Sequence, residues 1–323
     1  MSSEKTAVIF TNLGTPADNN PREVRRFLRQ FLSDPRVVEI PRILWWPLLN
    51  GVILPFRSKT ALEAYDKIWT DDGSPLLAIS RRQQQALQQR LGDGVRVELM
   101  MRYGEPSFEQ VIRRLLDEGY QRLVVLPLYP QNSATTTATS FDHLASVLRK
   151  TRATPHLDFI SDYHGHPDYI LALTNSIQEH WKAEGRQRFL LMSFHGLPQR
   201  NVELGDPYQD QCMGTAHLLA TILGLSPDQW ALSYQSRFGR QTWLQPYTSE
   251  ALAAMADKGL KEVDVICPGF SADCLETLEE IQLQNRDIFL EHGGEEYRYI
   301  PCLNDREDHI EMMAHLVEPH LPD

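Results

Sequence analysis

Apolar runs of strand length alternate with segments of helical periodicity along the whole sequence. The runs of strand length are Thr6–Leu13, Val95–Arg102, Arg122–Tyr129, His156–Ile160, Arg188–Phe194, Ala231–Ser236, Glu262–Cys267 and Glu296–Ile300. The segments of helical periodicity are Arg22–Leu32, Pro75–Leu91, Phe108–Glu118, Ser140–Lys150, Tyr169–Ala183, Tyr208–Leu223, Glu250–Lys258, Leu275–Phe289 and Arg306–Val317. This alternation predicts an α/β fold in which parallel sheets are covered by helices on both faces.

An internal repeat decides between one eight-stranded barrel and two four-stranded lobes. Three short motifs recur in the same order, each at the end of a predicted strand. The pairs are VIFTNLGTP (Val8–Pro16) with LLMSFHGLP (Leu190–Pro198), MRYG (Met101–Gly104) with SRFG (Ser236–Gly239), and VVLPLYPQNS (Val124–Ser133) with VICPGFSADC (Val265–Cys274). Ordered recurrence is the signature of duplication. We therefore predict an α/β fold of two lobes related by internal duplication, each a four-stranded parallel sheet with helices on both faces.

The boundary between the lobes is expected where the second copy of the pattern begins. We place the N-terminal lobe at residues 1–162 and the C-terminal lobe at residues 163–323. The sequence leaves open whether the last helix packs back on the first lobe. Open α/β sheets bind ligands at the carboxyl ends of their strands, where the three motifs lie. The repeat therefore predicts a site in a cleft between the lobes.

The two copies of the repeat differ in chemistry. Leu13 in the first copy aligns with His195 in the second, Thr135 aligns with Glu276, and Asn132 aligns with Asp273. The first lobe is thus predicted to form a binding wall, and the second to carry the titratable groups. An imidazole and a carboxylate at one site can transfer protons or hold a divalent transition metal.

Each of these residues also has a purely structural interpretation. The chain has 11 histidines, and a single histidine is often only a hydrogen-bonded structural residue. Glu276 could be an acid favoured by the helix dipole in a first helical turn. Glu280 follows one turn later with Glu279 beside it, which suits either a solvated face or a carboxylate track for a cation. The position of His195 at a strand end, with a carboxylate predicted to face it, favours the functional interpretation.

Other familiar sites are poorly supported by the sequence. NLGTP follows the first strand, but neither G-x-x-x-x-G-K-[ST] nor G-x-G-x-x-G occurs there, which argues against a nucleotide site. The chain has no G-x-S-x-G motif, which argues against an α/β-hydrolase. His164 and His166 form an H-x-H pair without further ligands, which is more typical of a surface loop.

One mostly apolar segment, residues 41–56, is broken by Pro41, Pro47, Gly51 and Pro55. It is too short and too interrupted to span a bilayer, which needs about 20 apolar residues. Two interpretations remain open: a buried connector, or an exposed lip that touches a membrane or a flat apolar ligand. The pair Trp45-Trp46 favours the lip, because tryptophan prefers interfaces. We call residues 41–56 the lip segment.

Composition narrows the classes of function. Hydrophobic residues make up 42% of the 323 residues and charged residues 23%, as in ordinary globular proteins. The net charge of −11 argues against nucleic acid as a partner. The 4 cysteines have no C-x-x-C spacing, which disfavours a zinc ribbon or a thioredoxin motif. The first residues do not resemble a signal peptide, so we expect a cytoplasmic protein.

The segment LLMSFHGLPQRNVELGDPY (Leu190–Tyr208) resembles the signature of ferrochelatases, which insert Fe²⁺ into a porphyrin at the end of haem synthesis. The resemblance extends along nearly the whole chain. Its other motifs are NLGTP, SDPRVVEIP (Ser33–Pro41), WTDDGSPL (Trp69–Leu76), MRYGEP, LPLYPQNSATTT, SRFGRQTWLQP (Ser236–Pro246) and GFSADCLETLEEI (Gly269–Ile281). It implies protoporphyrin IX and Fe²⁺ as substrates, and a porphyrin cleft between two Rossmann-like lobes.

The resemblance also implies roles for individual residues. His195 and Glu276 match the family's central pair, one taking a pyrrole proton and the other ligating iron, with the assignment open. Glu280 and Asp273 match a metal or proton path. The positions that match porphyrin contacts are Leu13, Arg57, Tyr65, Ser74, Arg102, Tyr103 and Trp243. An apolar residue at position 13 resembles the enzymes that act on protoporphyrin. The lip segment matches the region that borders the pocket mouth and faces the membrane.

Departures from the family pattern limit what the resemblance implies. Many relatives bind a [2Fe–2S] cluster through a cysteine-rich C-terminal extension and one internal cysteine, which matches Ala134 here. We therefore expect no cluster, no other prosthetic group, and a monomer with transient contact to a membrane surface. Cys274 stands where several relatives have histidine. The alternatives are a chelatase for coproporphyrin or cobalt, and a carrier of haem or porphyrin without enzymatic activity.

Overall fold

The structure, a computed structural model, describes residues 5–239 and 241–322. Within them the strands form two four-stranded parallel sheets. The first sheet has the order β2-β1-β3-β4 and the second the order β6-β5-β7-β8, so both halves share one topology. The strands are β1 Thr6–Gly14, β2 Arg96–Tyr103, β3 Arg122–Pro127, β4 His156–Phe159, β5 Phe189–His195, β6 Trp230–Gln235, β7 Glu262–Ile266 and β8 Glu296–Ile300. The predicted fold class is confirmed.

Helices follow almost every strand. They are α1 Pro21–Leu32, α2 Arg42–Leu48, α3 Leu54–Asp66, α4 Pro75–Leu91, α5 Phe108–Asp117, α6 Thr139–Leu148, α7 Pro167–Ala183, α8 Gln199–Glu203, α9 Tyr208–Ile222, α10 Thr248–Asp257, α11 Arg286–Glu291 and α12 Glu307–Val317. A short 3₁₀ turn, Glu318–His320, ends the described chain. None of the described helices is long and apolar enough to cross a membrane.

Two compact units divide the chain. One comprises the residues up to Tyr129 together with Ala134–Asp162 and the residues from Ile310 onward, and the other comprises Pro130–Ser133 and Tyr163–His309. In the first unit Arg90 of α4 forms ion pairs with Glu311 of α12 and with Glu318. The end of the chain therefore belongs to the first unit by its contacts.

In each unit, helices cover the sheet with the apolar faces that the periodicity of the sequence predicts. Helix α5 presents Val111, Ile112 and Leu115 to the core of the first unit, against strand residues such as Ile9 and Val125. In the second unit the core joins residues of β5 and β7 to α10 and α11, and includes Leu191, Val265, Leu252 and Phe289. Such burial removes apolar area from water and is the main favourable term in folding.

The glycines of the first repeated motif have a steric role. Gly14 has a φ of 105°, and a Cβ added to it would lie 1.7 Å from the carbonyl oxygen of Tyr103. A Cβ on Gly196, its counterpart in the second copy, would lie 2.7 Å from the carbonyl oxygen of Gln235. In both units the backbone after the central strand approaches the end of its neighbour so closely that only glycine fits. This explains NLGTP and FHGLP without any phosphate site.

Among the described residues, three segments of π-helix were not predicted. The segment Glu276–Asn285 is π-helical and runs into α11, where the sequence pattern predicted one regular helix over Leu275–Phe289. A shorter π-helix, Ala134–Ala138, lies at the equivalent place after β3. Hydrogen bonds from residue i to i+5 leave little trace in hydrophobic periodicity, and such bulges often mark functional sites.

The lip segment is helical, which the sequence analysis missed because of its prolines. It comprises α2, a π-helical turn at Leu49–Ile53, and the start of α3. Pro41 caps α2, and Pro55 lies in the first turn of α3, where a missing N–H is tolerated. Ile43 is 88% exposed and Phe56 73% exposed. These exposures agree with the lip interpretation and exclude a wholly buried connector.

We predict that Gly14→Ala lowers the free energy of unfolding by about 3 kcal/mol or more, because the methyl group overlaps a backbone oxygen in a packed sheet. The matched control is Gly119→Ala. Gly119 has a similar φ of 82° but open space around the new Cβ, so this change costs only about 1 kcal/mol of backbone strain. Urea denaturation followed by circular dichroism measures both. Equal losses in the two variants would show that strain, and not overlap, fixes the glycine.

Candidate active site

His195 ends β5 at the carboxyl edge of the second sheet and is partly exposed. Its Nδ1 lies 2.7 Å from the carbonyl oxygen of Gly196. Because a carbonyl can only accept, Nδ1 carries the proton of the neutral ring in this contact. The Nε2 lone pair is therefore free to accept a proton or to bind a metal. The ring of Phe270 lies 6.4 Å away, centroid to centroid.

The side chain of Gln235 links the strand of His195 to the helix of Glu276. The N–H of Gly196 donates to the backbone oxygen of Gln235 at 2.7 Å, and Gln235 Nε2 donates to the backbone oxygen of Glu276 at 2.8 Å. The amide oxygen of Gln235 accepts from the hydroxyl of Ser193 at 2.9 Å. Gln235 is 2% exposed, so these bonds form away from water.

Glu280 is held by Ser236, the residue after β6. Its carboxylate accepts from the N–H of Ser236 at 2.7 Å and also from the Ser236 hydroxyl. Ser236 has a φ of 66°, which is costly for a non-glycine residue and typical of functional sites. This conformation aims both donors of one residue at a single carboxylate.

Glu280 is also electrostatically coupled to the predicted pair. Burial raises the pKa of Glu280 above its ordinary value, and the nearby charge of Glu276 acts in the same direction. The hydroxyl of Ser236 and a positive charge on His195 oppose that rise. Hydrogen bonds bring the three residues together, because Gln235 pairs with His195 in the sheet and bonds the backbone of Glu276, and the next residue, Ser236, bonds Glu280. Glu280 is thus a carboxylate that holds a proton to higher pH than an exposed glutamate does.

Glu279 bonds a different residue. It is buried, and both of its carboxylate oxygens accept from the side-chain amide of Gln284, at 2.9 and 2.7 Å. The two adjacent glutamates, which the sequence could not separate, therefore have different hydrogen-bond partners.

Asp273 lies just before the π-helix and is 6% exposed. One of its oxygens accepts from the Tyr299 hydroxyl at 2.6 Å and from the Thr277 hydroxyl at 3.1 Å. The other accepts from the side-chain amide of Asn304 at 2.7 Å. Hydrogen bonds within the protein thus occupy both oxygens of this carboxylate.

Trp243 lies against the turn that follows His195. The Leu244 N–H donates to the carbonyl of Leu197, and a Cβ on Gly196 would lie 3.2 Å from the Trp243 ring. The ring is 5% exposed and packs against Phe238, centroid to centroid at 5.3 Å. The tryptophan therefore buttresses the backbone beside His195.

The cysteines offer no ready metal ligands. Cys212, Cys267, Cys274 and Cys302 are unpaired and buried, and burial raises the pKa of each thiol. Over residues 5–239 and 241–322, no group of three or more His, Cys, Asp or Glu side chains is arranged to hold a metal ion.

The first unit holds most of the predicted porphyrin contacts. Leu13 is partly exposed near the end of β1, and Arg57 is exposed on α3. Ser74 is 4% exposed, and its hydroxyl accepts from that of Thr15 at 2.7 Å. Tyr65 is also buried, with its ring edge-on to Trp69. Leu13 and Arg57 therefore have exposed surface that a ligand can contact, whereas Ser74 and Tyr65 are buried below the protein surface.

Arg102 and Tyr103 are committed to a buried network around Asp34. The Asp34 carboxylate pairs with the Arg102 guanidinium and accepts from the hydroxyls of Tyr103, at 2.9 Å, and Thr139. Burial alone would raise the pKa of Asp34, but these partners hold it below its ordinary value. Tyr103 is 2% exposed. The predicted porphyrin contact of Tyr103 is thus at odds with its burial in the core.

Sequence reasoning missed Gln235, Ser236, Asn304 and Asp34. Gln235 and Ser236 could have been found, because they stand at a strand end, where Gln235 directly precedes the repeated motif SRFG and Ser236 begins it. Asp34 lies inside SDPRVVEIP, but no residue near it in the sequence indicates its ion pair with Arg102. Nothing in the sequence marks Asn304. Its role depends on a left-handed φ of 48° and on a contact across 31 positions.

The arrangement suits proton transfer, and its imidazole and carboxylates are of the types that bind divalent metals, although these side chains are not gathered into a three-ligand cluster. The second unit offers one imidazole nitrogen with a free lone pair and two partly exposed carboxylates, Glu276 and Glu280, that influence each other. Imidazole and carboxylate are common ligands of first-row transition metals and common proton acceptors.

We predict that Arg102→Ala lowers the free energy of unfolding by about 3 kcal/mol, because it leaves the Asp34 carboxylate buried and unpaired. The control is Arg36→Ala, which removes an exposed ion pair with Asp142 and should cost less than about 1 kcal/mol. Urea denaturation compares the two. If Arg102→Ala is as stable as the control but loses porphyrin affinity, Arg102 acts as a ligand contact instead.

Comparison with known proteins identifies the family. The ferrochelatase family model matches residues 5–321. The ferrochelatase of Klebsiella pneumoniae (strain 342) is 51% identical over 320 residues, covering 99% of this chain and 100% of the relative. Ferrochelatase 2 of Shewanella oneidensis is 50% identical over 320 residues, covering 98% of each. In fold alone, the chain resembles SirB from Bacillus subtilis with Fe³⁺, with a TM-score of 0.57 at 11% identity, covering 97% of this chain and 94% of that one. The chain belongs to the ferrochelatase family.

Proposed function

We propose that this protein inserts Fe²⁺ into protoporphyrin IX to form protohaem, the last step of haem synthesis, with His195 and Glu276 as its central pair. The observation that carries the proposal is the free Nε2 lone pair of His195 together with the hydrogen bonds of Gln235 and Ser236, which join its strand end to Glu276 and Glu280. Iron is a substrate in this reaction, and no resident metal or cluster is needed.

The balance of the reaction assigns work to these three groups. Fe²⁺ replaces two pyrrole N–H protons, so two protons leave the macrocycle for each iron inserted. His195 Nε2 accepts a proton or ligates iron, and Glu276 performs the complementary task. Glu280, whose pKa is raised by burial, takes part in carrying protons away or iron inward.

The contacts of Asp273 support a different role from that of a path residue. Its oxygens are occupied by Tyr299, Thr277 and Asn304. We propose that Asp273 fixes the start of the π-helix that carries Glu276, and that the path toward the metal runs along Glu280.

The N-terminal lobe is proposed to form a porphyrin wall, and the C-terminal lobe is proposed to carry the catalytic pair. Leu13 and Arg57 are the members with exposed surface, and Arg57 suits a propionate through a charge-assisted hydrogen bond. Trp243, at 5% exposure, belongs to the other unit and is proposed to support the turn that follows His195. Tyr65 and Ser74, at 6% and 4% exposure, are proposed to shape the wall from beneath. Arg102 and Tyr103 support it through Asp34.

We predict that His195→Ala and Glu276→Gln each lower kcat by on the order of 10²-fold to 10⁴-fold while keeping porphyrin affinity, because each removes a proton acceptor or metal ligand. The assay is anaerobic metallation with Fe²⁺, followed by loss of porphyrin fluorescence. Glu279→Gln is the matched control, since it changes the neighbouring carboxylate, which bonds Gln284 instead. This variant should keep near-normal kcat.

The same assay distinguishes the alternatives. A wild-type protein that metallates coproporphyrin or uses Co²⁺, but not protoporphyrin with Fe²⁺, would be a chelatase of another specificity. Tight haem binding without any turnover would indicate a carrier. A rise in the KM for Fe²⁺ confined to one variant of the pair would assign the iron ligand to that residue.

The lip segment is proposed to contact a membrane surface from the cytoplasm. Its exposed apolar side chains include Ile43, Leu44, Trp46 and Phe56, and Arg57 is exposed beside them. Apolar side chains next to a cation match the boundary of an anionic bilayer. Such a surface also suits delivery of a poorly soluble porphyrin to a chain that we propose to be monomeric.

We predict that the double variant Ile43→Ser/Phe56→Ser binds vesicles of phosphatidylcholine and phosphatidylglycerol at least about tenfold more weakly than wild type, because each buried apolar side chain contributes roughly 1.5–3 kcal/mol. The control is Leu204→Ser, which removes an exposed leucine of the other unit, 67% exposed. Vesicle co-sedimentation measures the affinity. Equal binding by all three proteins would exclude the lip segment as the membrane contact.

A further inference from the structure

Asn304 has an unusual backbone and an unusual set of partners. It follows β8, and among residues 5–239 and 241–322 it and Ser236 are the non-glycine residues with positive φ. Asparagine is one of the few residues that tolerate this region, at 48° here. Ser236 adopts the same left-handed backbone conformation and holds Glu280. The left-handed conformation of Asn304 is therefore also expected to serve a specific contact.

Both polar atoms of the Asn304 side chain bind one residue. The side-chain oxygen accepts from the N–H of Asp273 at 2.8 Å, and the side-chain nitrogen donates to the Asp273 carboxylate at 2.7 Å. The backbone of Asn304 is fixed as well. Its N–H donates to the carbonyl of Ser271 at 3.1 Å, and its carbonyl accepts from Nδ1 of the buried His309 at 2.7 Å. Asn304 therefore fixes the conformation of the loop that ends at Asp273.

The contacts continue from Asp273 into the π-helix. The Asp273 carboxylate accepts from the hydroxyl of Thr277, which is fully buried and also receives the N–H of Cys274 at 3.0 Å. Thr277 is the residue next to Glu276. A chain of short hydrogen bonds thus connects Asn304, Asp273 and Thr277, and it ends at the backbone that presents the Glu276 carboxylate.

We infer that Asn304 is a positioning residue for Glu276. Asn304 acts through Asp273 and does not touch substrate. This inference rests on the proposed function of Glu276. Partners of this outer kind hold a reacting group in its productive geometry, and their loss typically lowers activity about 10-fold to 100-fold. The contact between positions 304 and 273 requires one amide and one carboxylate, and either position can carry either group.

An amide–carboxylate swap tests the inference. Asn304→Asp keeps the size of the side chain and its tolerance for positive φ, but sets two carboxylates against each other. We expect kcat to fall about 10-fold to 100-fold with little change in the KM for porphyrin. Adding Asp273→Asn restores an amide facing a carboxylate, so the double variant should recover at least about tenfold over Asn304→Asp alone. A double variant no better than the single one overturns the inference.

A second readout does not depend on turnover. Hydrogen–deuterium exchange of the peptide spanning residues 274–285 should be faster in Asn304→Asp than in wild type, and slow again in the double variant. Unchanged exchange in Asn304→Asp also overturns the inference, even if the proposed activity fails. Wild-type turnover with wild-type kcat in Asn304→Asp would reject the inference and leave the proposed function intact.

A matched control separates positioning from general stability. Asn175 of α7 also donates its amide to a carboxylate, that of Asp308 at 3.2 Å, in the same unit. Asn175→Gly should lower the Tm, because glycine weakens the middle of a helix, yet keep kcat near the wild-type value. If this variant loses kcat as steeply as Asn304→Asp does, the loss reflects stability and the inference fails.

Discussion

The candidate site depends on one buried side chain, the amide of Gln235. It joins the edge of the sheet that presents His195 to the first residue of the π-helix that presents Glu276, and it is almost wholly shielded from water. A glutamine can do this because its amide donates and accepts at once, so a single residue satisfies Ser193 on one side and the Glu276 carbonyl on the other. The strand that presents His195 and the helix that presents Glu276 are thus joined through one buried side chain.

The duplicated architecture shows how one framework supports two kinds of surface. Both units have the same strand order, the same glycine pressed against a neighbouring strand, and a π-helix after the third strand. The side chains on these shared positions differ. The first unit presents Leu13 where the second presents His195, and Thr135 where the second presents Glu276. The backbone thus fixes where a group lies, and the side chain decides what it does there.

The sequence predicted much of the fold because the relevant forces are local or periodic. Hydrophobic periodicity located the strands and the face of α5, and the repeat predicted two sheets. The repeat also indicated His195 and Glu276 as candidates, because one lies at the end of a strand and the other in the helix after a neighbouring parallel strand, and their roles stay predictions. The missed features have other origins. The π-helix at Glu276–Asn285 and the left-handed Asn304 are fixed by contacts distant in sequence, and the prolines of the lip segment concealed a helix whose prolines stand mostly at helix starts.

The burial of the cysteines protects the thiols of this protein from the ferrous iron that is its substrate. Thiolates are the form of cysteine that captures soft metals and reacts with peroxide, and a thiol kept protonated by burial does neither readily. All four thiols here are enclosed, and each has a raised pKa. Cys274 lies two positions from Glu276, yet it is sealed into the core. The thiol nearest to Glu276 in the sequence is therefore shielded from metal capture and from oxidation.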